Sequence, residues 1–197
     1  MKKLLPIIII LCGLTTAGYA YQPPDGGEEL FHLFSPFFLA GGTSAAATDA
    51  PHANTYNPAS SGATQRTTLE LSYSALARLT APAAYTGTVI NLGATFPSRI
   101  GVFTGTGHFI SSTGGMPLGT LGRIGFSFSK DLYPHILVGA GLNVTIGSNN
   151  QQVDWGLAAD IGFIHLAGDL GIFKDFRWGV TVQNMGKGYR PLALPYT

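Results

Sequence analysis

Along residues 136–147 apolar and small side chains alternate without a break. Ile136, Val138, Ala140, Leu142, Val144 and Ile146 share one parity; Leu137, Gly139, Gly141, Asn143, Thr145 and Gly147 share the other. Successive side chains of a strand point to opposite faces, so this segment has one aliphatic face and one small or polar face. The pattern recurs. Val153, Trp155, Leu157, Ala159, Ile161 and Phe163 alternate with Asp154, Gly156, Ala158, Asp160 and Gly162. Phe176, Trp178, Val180 and Val182 alternate with Arg177, Gly179, Thr181 and Gln183. Ile124, Phe126 and Phe128 do so with Gly125, Ser127 and Ser129, and Leu69, Leu71 and Tyr73 with Thr68, Glu70, Ser72 and Ser74. Segments 86–96 and 99–111 are extended and rich in Gly, Thr and aromatics, with looser alternation. The chain therefore predicts seven strands, and turn residues at 97–98, 130–134, 148–151 and 168–169 link them as an antiparallel up-and-down meander.

The polar parity decides between a soluble sandwich and a membrane barrel. A sandwich turns that face to water and dresses it with Lys, Glu and Arg. Here it carries mostly Gly, Ser, Thr, Ala and Asn, which suits a lumen, while the aliphatic face suits lipid. The strands also match the roughly 9–11 residues of a tilted membrane strand better than the usual 5 or 6 of soluble sheets. Tyr73, Tyr133, Trp155 and Trp178 fall near strand ends, as interfacial aromatics do. Composition agrees. Charged residues are 11% of the 197, against about 25% in soluble domains, and the mean hydropathy is +0.24. With 11 Lys and Arg against 10 Asp and Glu there is no basic excess to neutralise phosphates, so nucleic acid is not an expected partner. A disordered chain is disfavoured too.

The start reads as an export signal. Lys2 and Lys3 precede an apolar stretch, Leu4 to Leu14, and Gly18 and Ala20 stand at −3 and −1 of a cleavage site. We expect residues 1–20 to be removed, taking the single cysteine, Cys12, with them. Lipidation at Cys12 is disfavoured because Leu11, not a small residue, precedes it. No later run of about 18 apolar residues follows, so helical membrane crossing is excluded. Residues 21–65 do not alternate. A Pro/Gly-rich acidic stretch leads to an aromatic patch with Phe31, Phe34, Phe37 and Phe38, then to a small polar stretch. This segment is expected to be either a periplasmic extension or a plug inside the barrel formed by residues 66–197. The aromatic patch reads as a short buried helix or as a ligand contact.

Asn57-Pro58-Ala59, preceded by Thr48-Asp49-Ala50-Pro51 and Tyr56 and followed by the first alternating strand, resembles the N-terminal signature of the FadL family of outer-membrane transporters. The stretch FRWGVTVQNMGKG, through Gly179 and Gln183-Asn184-Met185-Gly186, is similar to a strand ending in the same superfamily. The chain most resembles the FadL-like outer-membrane proteins of spirochaetes, from about Leu39 to Lys187. The resemblance implies passive uptake of long-chain fatty acids or other hydrophobic small molecules, through a lateral passage at an inward kink of the third strand. It also implies an N-terminal hatch containing Asn57, Pro58 and Ala59, with Phe34, Phe37 and Phe38 as further hatch or ligand contacts. Proline lacks an N–H and fixes its own φ, and it holds the preceding residue extended, which suits a rigid bend. Gly101, Gly105 and Gly107 in the third strand are the candidates for the kink. The alternative is that they make room in a narrow lumen.

Two features depart from the family. Residues 66–197 number 197 − 65 = 132 and supply about seven strands, half of a fourteen-stranded FadL-type barrel. The chain also finishes Leu192-Ala-Leu-Pro-Tyr-Thr197, without the terminal aromatic that signals to the barrel-assembly machinery. A truncated reading frame is the preferred expectation; closure with another chain, or a small eight-stranded barrel, are the others. Enzymatic chemistry is not expected. His32, His52, His108, His135 and His165 lack metal-ligand spacing, no Gly-x-Ser-x-Gly elbow is present, and no cofactor is implied. Glu70, Asp154, Asp160 and Arg177 are expected to line the lumen, as solvated wall groups or as groups that orient a ligand head. The competing function is a structural or surface-exposed barrel, an antigen or adhesin, that does not transport.

Overall fold

A computed structural model describes residue 46 and residues 51–78, 85–114, 120–148 and 153–187. The expected signal peptide, Phe34, Phe37 and Phe38, and the chain beyond 187 lie outside the described residues. Seven strands form one sheet in sequence order: β1 (Thr68–Arg78), β2 (Tyr85–Pro97), β3 (Val102–Gly114), β4 (Thr120–Tyr133), β5 (Ile136–Ser148), β6 (Val153–Leu170) and β7 (Phe173–Lys187). Every neighbouring pair is antiparallel. The seven-stranded antiparallel meander read from the alternation is the observed fold. No helix among the described residues is long and apolar enough to cross a membrane.

Some bounds shift. Gly168 and Asp169 lie inside β6, and the reversal comes at Gly171, whose φ of +62° glycine adopts freely. The β4–β5 reversal falls at Pro134-His135, with His135 at φ 74°. Between β2 and β3 the Ser98 amide donates to the Gly101 carbonyl at 2.8 Å. These three short turns share one end of the sheet.

The two faces differ as the alternation predicts. On β5, Ala140, Leu142, Val144 and Ile146 are exposed, while Leu137, Thr145 and Gly147 are buried. On β1, Leu69 and Leu71 are 78% and 74% exposed. Among the described residues twenty-eight large hydrophobic side chains are exposed and only seven hydrophobic residues are buried, an inversion of the distribution that stabilises a water-soluble domain. The opposite face is covered by the N-terminal segment, residues 51–64, around a small cluster of Ala59, Leu137 and Ile164 with Leu166 against it. We refer to the open face and the covered face.

Looser alternation in the second and third strands has a visible cause. Val89, Val102 and Ile110 are apolar yet sit buried on the covered face, while Gly105 and Gly107 fall between exposed Phe103 and Phe109 on the open face. The strands at the two edges, β1 and β7, do not pair with each other. An odd meander leaves them running in the same direction.

Candidate functional site

The covered face is where chemistry-bearing side chains gather. Its centre is the segment itself: a 3-10 turn, Pro51–Thr55, then consecutive turns through Gly62. Asn57 shapes the bend. Its side-chain carbonyl accepts the Ala59 amide at 3.0 Å, the Asx-type bond that a short polar side chain makes to its own backbone. Ser60 completes the turn by donating to the Asn57 carbonyl at 2.7 Å. The proline between them removes one donor that would otherwise need a partner. Asn57, Pro58, Ala59 and Ser60 are all buried.

This bend is tied across the sheet from edge to edge. Asn57 Nδ2 donates to the Phe163 carbonyl of β6 at 3.1 Å. Gln183 of β7 donates to the Thr55 carbonyl at 2.7 Å. On the other flank His52 Nδ1 lies 2.8 Å from Glu70 Oε2 of β1. Thr104 of β3 donates to Ser61 Oγ at 3.1 Å, and Ser127 of β4 to Asn54 Oδ1 at 3.1 Å. Asn54 also donates to Ser61 within the segment. These contacts fix the segment's position, and the hydrogen bonds among them satisfy polar groups that are costly to bury unbonded.

Beside the segment a second polar row crosses the sheet: Ser72 on β1, Asn91 on β2, His108 on β3 and Arg123 on β4 occupy paired positions. Asn91 donates to Ser72 Oγ at 3.0 Å and is hydrogen-bonded to His108. No group of three or more His, Cys, Asp or Glu among the described residues could hold a metal ion.

The sequence-expected residues separate into different roles. Asn57, Pro58 and Ala59 converge in the covered bend, and Glu70 meets that segment through His52. Asp160 is buried, 3% exposed, but serves the sheet rather than an open site. The β6–β7 register steps from Ala159↔Met185 to Ile161↔Val182, so Gln183 and Asn184 stand opposite Asp160 alone. At this bulge Asn184 has φ 59° and its amide donates to Asp160 Oδ1 at 2.7 Å. Asn143 of β5 donates to the other oxygen. The carboxylate thus takes the place of a missing ladder acceptor. Asp154 lies 3.7 Å from Lys187 Nζ, which stacks 3.5 Å from the centroid of the Trp155 ring. Arg177 pairs with Asp175 near the hairpin end. Asp154 stands opposite Gly147 near the far end of β5 and β6, and Arg177 opposite Leu166.

Gly101 has φ +154° just before β3. Gly105 and Gly107 are on the open face, so they make no room on the covered one. β3 pairs with both neighbours through these positions without a register shift. The shifts lie instead in β4–β5 and β6–β7. Sequence reasoning did not single out Asn54, Ser61, Thr104 or Ser127, and it named Gln183 without its partner. Those partners lie up to 128 residues away, and single Ser, Thr, Asn and Gln residues carry no signal of such pairing.

Comparison with protein-family models, curated proteins and solved structures returned no match for this chain.

Proposed function

We propose that the sheet is part of the wall of an outer-membrane β-barrel, with the open face against lipid, the covered face toward the lumen and residues 51–64 as a hatch. On this reading the barrel gives passive passage to long-chain fatty acids or other hydrophobic small molecules. The observation that carries it is the inverted distribution of apolar side chains, with Leu69, Leu71, Phe126, Leu142, Val153 and Val180 all more than half exposed. Along β5 the aliphatic parity runs from Ile136 to Ile146. Ten steps at about 3.3 Å give ~33 Å, or about 25 Å across a bilayer for a strand tilted near 40°, the height of an outer-membrane barrel's apolar band. Aromatics sit toward the short-turn end, where Phe103 and Phe128 centroids are 5.1 Å apart and Phe163 and Trp178 5.2 Å apart, as an interfacial girdle would.

The physics of lipid adds one requirement. An unpaired strand edge in hydrocarbon costs several kcal/mol per group, so β1 and β7 must each pair with a further strand in the membrane. The chemistry asked of the residues is modest. The hatch blocks water-filled passage by packing tightly, Asn54, Asn57, Ser60 and Ser61 are bonded internally or to the wall, and an apolar solute needs no charged partner. Uptake of a fluorescently labelled long-chain fatty acid by proteoliposomes tests the reading. Entry above that of empty vesicles is expected; a folded, inserted protein with entry equal to empty vesicles refutes transport.

A further inference from the structure

The wall beneath Asn57-Pro58-Ala59 is made of glycine. Gly139 of β5 and Gly162 of β6 are directly paired, so they stand side by side on the covered face. A Cβ on Gly139 would collide with the Pro58 carbonyl and come within 2.6 Å of the Ala59 nitrogen. A Cβ on Gly162 would collide with Asn57 Oδ1 and come within 2.9 Å of Pro58 Cδ. Gly141, two residues along β5, leaves 3.7 Å to Pro58 Cβ. Neither Gly139 nor Gly162 has a positive φ, so the backbone does not demand glycine there, and glycine weakens a strand interior. What the two positions need is absence of a side chain. The open-face glycines are different: a Cβ on Gly105 would meet Phe126 at 3.8 Å and one on Gly107 would meet Leu92 at 3.6 Å, both ordinary contacts.

Polar bonds hold the segment toward both edges of the sheet, where Gln183 of β7 donates to the Thr55 carbonyl and Gly93 of β2 makes room for Pro51, while the bend itself rests on β5 and β6. Toward β1–β4 it is tied by polar side-chain pairs, His52 with Glu70, Ser61 with Thr104 and Asn54 with Ser127. Over β5 and β6 it rests on glycine, on Leu137 and Ile164, and on the Asn57 bond to the Phe163 carbonyl. We propose that Gly139 and Gly162 are the seat of the hatch, and that hydrophobic solute passes along β5–β6 when the Asn57-Pro58-Ala59 bend lifts off them. The polar pairs act as the tether about which the bend moves. The floor it uncovers is Gly139, Gly141, Gly162, Leu137 and Ile164, small and apolar, with the Asp160 carboxylate beside Gly141 held by Asn143 and the Asn184 amide. This inference rests on the hatch reading above.

Two measurements test it. With Cys12 replaced by serine, Ser60→Cys places a single thiol where the parent residue is 1% exposed. Gly139→Ala and Gly162→Ala should each raise its rate of maleimide labelling at least about tenfold, the effect of shifting a local opening by one decade. Gly105→Ala and Gly107→Ala should leave the rate within about twofold of the parent, since ordinary surface substitutions have small effects. Labelling of correctly folded Gly139→Ala and Gly162→Ala proteins at the parent rate overturns the seat. The second measurement leaves both glycines in place. A Cβ on Gly62 would lie 3.2 Å from Leu137 Cβ, close to the spacing a disulfide spans, so Gly62→Cys with Leu137→Cys clamps the bend to β5. The oxidised clamp should stop fatty-acid entry into proteoliposomes and reduction should restore it; equal entry in both states overturns the β5–β6 route. Labelling makes no reference to transport, so a folded parent protein, with Leu137 intact, that admits no fatty acid refutes transport while the labelling result still decides the seat.

Discussion

Removing the Asn57 side chain tests how the bend is held. Asn57 is fully buried, and its side chain accepts the Ala59 amide at 3.0 Å and donates to the Phe163 carbonyl at 3.1 Å. In Asn57→Ala the Ala59 N–H stays buried without its acceptor, a penalty of about 1–3 kcal/mol, and the bond to β6 is lost at about 0.5–1.5 kcal/mol. The docked state of residues 51–64 should weaken by roughly 2–4 kcal/mol, because the strands' own ladders are untouched. Hydrogen exchange of the segment reads this directly. Where exchange follows local undocking, that loss accelerates it about 30- to 1,000-fold, with β5 and β6 amides unchanged. Asn57→Ser keeps a short acceptor for the Ala59 amide but cannot span to Phe163, so its acceleration should be smaller. Exchange of the segment within about threefold of the parent in Asn57→Ala refutes the view that this side chain anchors the bend.

Other outcomes follow from the same geometry. Asp160→Ala removes the acceptor for the Asn184 amide and should cost about 1–3 kcal/mol; local exchange at residues 183–187 should rise, while Asp160→Asn, which keeps an acceptor oxygen, should cost less. Leu137→Ala or Ile164→Ala empties the small covered core and should destabilise by about 2–5 kcal/mol, read as a lower temperature for loss of the folded band in unheated gel electrophoresis. Val144→Arg on the open face should impair folding into bilayers by about 2–4 kcal/mol, measured by denaturant titration in liposomes. The same change at Ile172, 90% exposed at a hairpin turn, should cost well under that.

What the sequence revealed depended on the distance over which its signals act. Alternation is local, so β5 and β6 were legible residue by residue, and their exposed and buried parities agree with the structure. It blurred in β2 and β3 because Val89, Val102 and Ile110 are apolar on the covered face and Gly105 and Gly107 are small on the open one. Parity could not be assigned there from side-chain type alone. Asn57-Pro58-Ala59 stood out in the sequence, yet what lies beneath it did not: Gly139 and Gly162 look like any small residues of a polar parity until Asn57 is placed over them, 106 residues from its partner Phe163. Asp160 had the same ambiguity. A carboxylate on a polar parity reads as a solvated wall group or as a group that orients a ligand head, and only the register step opposite Asn184 reveals it as a bulge acceptor.

The account stands or falls on which face of the sheet meets lipid, and nitroxide scanning along β5 in reconstituted vesicles decides that. Labels at 142, 144 and 146 should collide strongly with oxygen and weakly with a water-soluble nickel complex, and labels at 143 and 145 should be less accessible to oxygen. The period should be two residues. Strong nickel collisions at 142, 144 and 146 would place the apolar face in water and contradict the membrane wall.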